Sequence, residues 1–153
     1  MEGSADLSSR GPDVAEGTVG VGAAQALTAS SRRARVLVID DEPVLLRGLK
    51  RSLSEHDVMT ATSVNQGMQL YSSHEFDIVF CDLMMPELNG LEFYMRLNAL
   101  GPRHAERLVL MTGGVFADRL GCSLAEIPSP CILKPFKHGE IERLISQALE
   151  RER

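Results

Sequence analysis

Four short apolar runs, each closing on a polar or charged residue, restrict the folds open to this chain more than any other feature. Val36 to Ile39 ends at Asp40 and Asp41, Ile78 to Cys81 at Asp82, Leu108 to Met111 at Thr112, and Cys131 to Leu133 at Lys134. Runs this short fit strands buried on both faces. Segments with a helical period separate them. Leu45, Leu46, Leu49 and Leu53 follow Pro43, a residue tolerated in a first helical turn. The stretch "DVMTATS" reads as a weaker strand; Ser63 is then a fit N-cap, with Gln66 three residues on, for a helix to about Ser73. Leu91 to Leu100 is helical in composition and stops at Gly101-Pro102. A short helix is expected over Phe116 to Ile127, and Ile141, Leu144, Ile145, Ala148 and Leu149 stripe a last one. Strand and helix therefore alternate five times. That order predicts an α/β fold, a doubly wound five-stranded parallel sheet with helices on both faces. Right-handed crossovers gather the C-terminal strand ends along one edge, where ligands bind.

The chain of 153 residues is long enough for one domain with a substantial core. Its net charge of −5 argues against a nucleic-acid surface. No apolar run approaches a membrane span, and the N-terminus has neither the basic start nor the apolar centre of a signal peptide. Cys81, Cys122 and Cys131 have no metal-like spacing and read as reduced thiols of a cytoplasmic protein. Residues 1–34, rich in Gly, Ala and Ser, read as a flexible linker or tail whose opening Met-Glu-Gly-Ser has the look of an added tag; residues 35–153 read as the domain.

The strand ends deliver Asp40 and Asp41, Asp82, Thr112 and Lys134 to one edge. Adjacent carboxylates repel, and burying them costs several kcal/mol unless a positive charge neutralises them. Carboxylates clustered without imidazole or thiolate partners suit a hard divalent cation such as Mg²⁺, which completes its shell with water and phosphate oxygens. The edge is therefore suited to a phosphoryl group beside a metal.

The segments "VLVIDDEP", "DIVFCDLMMPELNGLEF", "LVLMTGG" and "CILKPF" resemble the receiver domain of two-component response regulators, over roughly Arg35 to Arg151. The resemblance implies a flavodoxin-like sheet of order 2-1-3-4-5 with five helices. It implies Asp82 as phosphoryl acceptor, and Mg²⁺ held by Asp40, Asp41, Asp82 and the backbone carbonyl of Met84. Lys134 would pair with Asp82 and later with a phosphoryl oxygen, while Thr112 would hydrogen-bond the phosphoryl group. The Lys134–Pro135 bond is often cis in that family. The partner would be a histidine kinase or a histidine phosphotransfer protein, with no nucleic acid or membrane contact by the domain itself. The chain ends soon after its last helix, which favours the receiver part of a hybrid histidine kinase or a single-domain regulator. It would not be a turnover enzyme on its own.

Three departures qualify the resemblance. Cys131 stands where many receivers carry an aromatic switch residue, three positions before the lysine. Met84, two after Asp82, and Gly114, two after Thr112, offer no side-chain hydrogen bond to orient attacking water, which predicts slow loss of a phosphoryl group. Gly113 and Gly114 would keep the space beside Thr112 clear. Two other readings stand beside the switch. A degenerate receiver would act only through protein contacts, although Asp82, Thr112 and Lys134 are intact. A phosphatase with an aspartate nucleophile needs a second acid where Met84 stands. His56, His74, His104 and His138 read as surface residues, and Cys81 as an inert core thiol.

Overall fold

The computed structural model describes residues 32–113 and 127–152. In chain order the elements are β1 (Arg35–Ile39), α1 (Pro43–Ser52), β2 (Asp57–Ala61), α2 (Val64–Ser73), β3 (Ile78–Asp82), α3 (Gly90–Leu100), α4 (Pro102–Ala105), β4 (Leu108–Gly113), β5 (Cys131–Lys134) and α5 (His138–Arg151). The five strands form one parallel sheet in the order β2-β1-β3-β4-β5. Apart from Ile127, the helix expected over Phe116 to Ile127 lies outside the described residues, as do Gly114 and Cys122.

Both sheet faces are covered, which is why the strand runs are apolar without alternation. Val36, Val38, Phe80, Val109 and Met111 face α1 and α5 and pack with Leu46, Leu49, Ile141 and Ile145. Their strand neighbours Leu37, Ile39, Val79, Cys81 and Leu110 face the other way and pack with Val64 and Tyr71 of α2 and Phe93 and Leu97 of α3. All five residues of β3 are buried, so the central strand is held from both faces.

Helix starts follow local chemistry. Pro43 opens α1. The Ser63 hydroxyl accepts the Gln66 N–H at 3.2 Å, while the Gln66 side chain reaches back to the Thr62 N–H at 2.8 Å. The Asn89 side chain accepts the N–H groups of Leu91 and Glu92 at the head of α3. Gly101-Pro102 ends α3 as expected, but Pro102 also begins the one-turn helix α4. A proline that cannot continue one helix is well placed to start the next.

Two histidines are less exposed than the sequence implies. The His56 side chain keeps only 11% of its exposure, with Nδ1 accepting the Ala34 N–H at 3.2 Å and Nε2 lying 3.0 Å from Glu142. His104 is half-buried, its Nδ1 2.8 Å from the Tyr71 hydroxyl. Turn positions read as exposed in sequence, but here each imidazole meets a partner on an element remote in the chain.

At the N-terminal edge of the sheet, the side chain of Asp77 is fully buried. It accepts from Arg32 at 3.0 Å, from Arg35 Nη2 at 2.9 Å and from the Arg35 N–H at 2.7 Å. Contacts to the fold thus begin ahead of β1, and Ala34 is itself a core residue.

Candidate functional site

Parallel strands of similar length place their last residues level, so the opposite edge collects what the sequence put there. Asp40 and Asp41 follow β1, Asp82 ends β3, Thr112 lies near the end of β4, and Lys134 ends β5. Asp40, Asp82 and Thr112 are buried, whereas Asp41 is exposed. One carboxylate oxygen from each of Asp40, Asp41 and Asp82 lies within 4.8 Å of the others. The expected cluster therefore exists as a cluster.

Lys134 Nζ sits among the acids, 2.6 Å from Asp40 Oδ2, 3.2 Å from Asp82 Oδ2 and 3.6 Å from Glu42 Oε1. Its shortest partner is Asp40 rather than Asp82. The remaining oxygens meet backbone donors: the Glu42 N–H donates to Asp40 Oδ1 at 2.9 Å, and the Met84 N–H to Asp82 Oδ1 at 3.1 Å. The Lys134–Pro135 peptide bond is cis. The Thr112 hydroxyl donates to the Gly113 carbonyl at 3.3 Å, a local bond that leaves its lone pairs free. A Cβ built on Gly113 meets nothing within 4 Å among the described residues.

Burial pushes the Asp82 carboxyl above the ordinary carboxylate range, and the charge of Asp40 adds to this; the Met84 N–H and Lys134 pull the other way and do not win. For Lys134 burial works against the charged form, but the bond to Asp40 and the charge of Asp82 outweigh it and raise the ammonium pKa. Both partners of one pair are thus raised, because Lys134 has two anions to itself while Asp82 shares one cation with a second anion. The Cys81 thiol next to Asp82 is buried and pushed far up, first by burial and then by these acids, so it stays a protonated core residue.

The donor set is all carboxylate oxygen, as a hard divalent cation requires. Two members are buried and one is exposed, so the cluster opens to solvent at Asp41. Asp40, Asp41 and Asp82 therefore fit Mg²⁺. Against known proteins, the family described as response regulator receiver domain matches residues 36–146. The chain belongs to this family.

The receiver is 27% identical over 123 residues to the transcriptional regulatory protein GlrR of Escherichia coli, covering 79% of this chain and 27% of that protein. It is 27% identical over 125 residues to the alginate biosynthesis transcriptional regulatory protein AlgB of Pseudomonas aeruginosa, covering 80% and 27%. The chain thus spans about a quarter of the length of these curated relatives. Among solved structures it resembles a receiver domain protein of Clostridium thermocellum, with TM-score 0.69, 27% identity, and coverage of 78% of this chain and 96% of the other. No helix among the described residues is long and apolar enough to cross a membrane.

Sequence reading missed Glu42. It is the third acid of the run after β1, yet its nearness to Lys134 depends on β1 and β5 ending level, which sequence spacing does not disclose. It also missed a groove of about 290 Å³ beside Lys134, lined by Leu45, Leu49, Leu53, Pro135, Phe136 and Ile141. Here the signal was present: Phe136 stands two residues after the lysine, and α1 has its helical stripe.

Proposed function

We propose that this receiver is a phosphoryl-accepting switch of a histidine-to-aspartate relay, spanning residues 35–153, with Asp82 as acceptor. The observation that carries the reading is the convergence of three carboxylate oxygens within 4.8 Å, with Lys134 Nζ 3.2 Å from one of them. A carboxylate oxygen of Asp82 attacks the phosphorus of a phosphohistidine; the O–P bond forms, the P–N bond breaks, and the imidazole leaves. Asp40, Asp41, Asp82 and the backbone carbonyl of Met84 would hold Mg²⁺, which supplies positive charge to the phosphoryl oxygens in the transition state. Lys134 serves the same charge from the protein side. Thr112 can turn its hydroxyl from the Gly113 carbonyl to a phosphoryl oxygen, biasing the β4 end between two positions.

Phosphorylation replaces one negative charge with about two and adds acceptor oxygens. Cys131 is exposed and is no aromatic, so the response runs through Thr112 rather than an inward-turning ring. The chain would serve as part of a hybrid histidine kinase, as a single-domain regulator, or as the receiver of a transcriptional regulator like its curated relatives. Free Cys81 and Cys131 accord with a reducing, cytoplasmic setting. The groove beside Lys134 is the surface for the kinase or phosphotransfer protein. Its lining is mostly apolar, which suits the apolar face of a partner helix.

Incubation with acetyl phosphate and Mg²⁺ tests the reading. The chain should gain one acid-stable, base-labile phosphoryl group, lost in Asp82→Asn and without the metal. Turnover without accumulation would indicate a phosphatase, and no labelling a protein-contact module. Gly48→Glu, which sets a charge in the groove, should slow transfer from a cognate kinase and leave labelling by acetyl phosphate unchanged.

A further inference from the structure

Both carboxylate oxygens of Asp40 are engaged in this structure. Its Oδ1 accepts the Glu42 N–H at 2.9 Å, and its Oδ2 accepts Lys134 at 2.6 Å. Each oxygen keeps a second lone pair, but a divalent cation bound there repels the Lys134 ammonium and weakens the charge that holds it. The backbone donor is fixed at the head of α1, whereas the lysine is the mobile partner. With a cation on Asp40, the hold on Lys134 at its shortest contact therefore weakens. Asp82 faces the same demand, since it belongs to the same cluster.

Among the described residues one further acid lies within ion-pair distance of Lys134: Glu42, at 3.6 Å. Glu42 occupies the N-cap of α1, yet its side chain makes no cap hydrogen bond. It is 64% exposed and can follow the ammonium. Resting on the reading above, we propose that Glu42 is a positioning residue for Lys134: its carboxylate holds the ammonium at the mouth of the pocket when Asp40 and Asp82 are committed to the metal. The lysine then remains where an incoming phosphoryl oxygen arrives, instead of drifting into solvent.

The ammonium proton–nitrogen NMR signal of Lys134, assigned by its loss in Lys134→Arg, reads this directly. Without Mg²⁺, the wild type and Glu42→Gln should show the same distinct signal, because Asp40 and Asp82 hold the lysine in both. With saturating Mg²⁺ the wild type should keep a distinct signal, while Glu42→Gln should collapse to the position of exposed lysines. Labelling by acetyl phosphate should slow about two- to fivefold, as suits an exposed ion pair. Glu87→Gln, which removes an equal charge on the loop after Asp82, should leave the Lys134 signal unchanged. An unchanged Lys134 signal in Mg²⁺-saturated Glu42→Gln overturns the inference, as does an equal collapse in Glu87→Gln. If the wild type itself neither binds Mg²⁺ nor becomes labelled, the phosphoryl-switch reading fails and takes this one with it.

Discussion

Arg35 makes two ion pairs that look alike by distance and should differ severalfold in energy. Its Nη1 lies 2.6 Å from Glu75, whose side chain is 82% exposed; its Nη2 lies 2.9 Å from Asp77, whose side chain is 0% exposed. Distance ranks Glu75 first, but burial ranks Asp77 first. In water the first pair is screened and must immobilise two long side chains, so Glu75→Gln should cost at most about 1 kcal/mol. Asp77 also accepts from Arg32 and from the Arg35 N–H. Hydrogen bonds to charged groups contribute about 1.5–3 kcal/mol each against about 1 for neutral ones. Neutralising Asp77 weakens four of them, the longest from Arg35 Nε at 3.4 Å. The two guanidinium groups keep about half or a third of their exposure and can rehydrate, which holds the loss below the cost of a truly buried orphan charge. Asp77→Asn should therefore cost about 2–3 kcal/mol.

Urea unfolding followed by far-ultraviolet circular dichroism measures both, since the chain has no Trp. With a slope near 1–3 kcal/mol per molar, Asp77→Asn should lower the midpoint by about 1 M or more, and Glu75→Gln by a fraction of that. The pH dependence has a fixed sign. Burial alone would raise the Asp77 pKa, but the Arg35 side chain and N–H outweigh it and hold it below the ordinary carboxylate range. The contribution is then complete above the unfolded value, about 3.9, and is lost as pH falls through the folded one. The gap between wild type and Asp77→Asn should close only in acid. Equal costs for the two variants, or a gap that closes near neutrality, would refute the reasoning.

Asp82→Asn should stabilise the metal-free protein at pH 7, because the folded pocket disfavours the charged carboxylate; the advantage should shrink as pH falls through the raised Asp82 pKa, in thermal unfolding at several pH values. A Cβ on Gly90 would sit 2.9 Å from the Asp82 carbonyl oxygen and 3.2 Å from Leu83 Cα, so Gly90→Ala should cost about 1–3 kcal/mol despite alanine's helix preference. A Cβ on Gly48 meets nothing within 4 Å among the described residues, so Gly48→Ala in α1 should gain about 0.5–1 kcal/mol in the same urea assay. Glu87 holds φ at +67°, a left-handed conformation that a side chain disfavours, and Glu87→Asn should gain about 0.5 kcal/mol by unfolding midpoint.

The sheet was legible because each strand carried its own signal. Val36 to Ile39 and Ile78 to Cys81 are apolar throughout, and only a strand covered on both faces needs that. Asp40, Asp41, Asp82, Thr112 and Lys134 were legible for a different reason: each ends a strand, and parallel strands bring their ends level. What stayed hidden depends on distances across the fold. The preference of Lys134 for Asp40, the approach of Glu42 and the partners of His56 all follow from side chains on elements remote in sequence. Nor does composition reveal that Pro102 starts a helix as well as stopping one.

Asp77, just before β3, and Asp82, at its end, are the same residue type at two ends of one buried strand, and the fold treats them oppositely. Asp77 has two guanidinium groups and a backbone N–H, so its charge is favoured. Asp82 is buried and shares one ammonium with Asp40, so its charge is disfavoured. A fold selected for stability alone would supply Asp82 with a second cation of its own. Leaving the deficit keeps an anionic oxygen underpartnered at a solvent-facing edge, which attracts a divalent cation and leaves a carboxylate available to form a bond. The arginines around Asp77 offset that cost at the far end of the same strand, where neither metal nor phosphoryl group needs room.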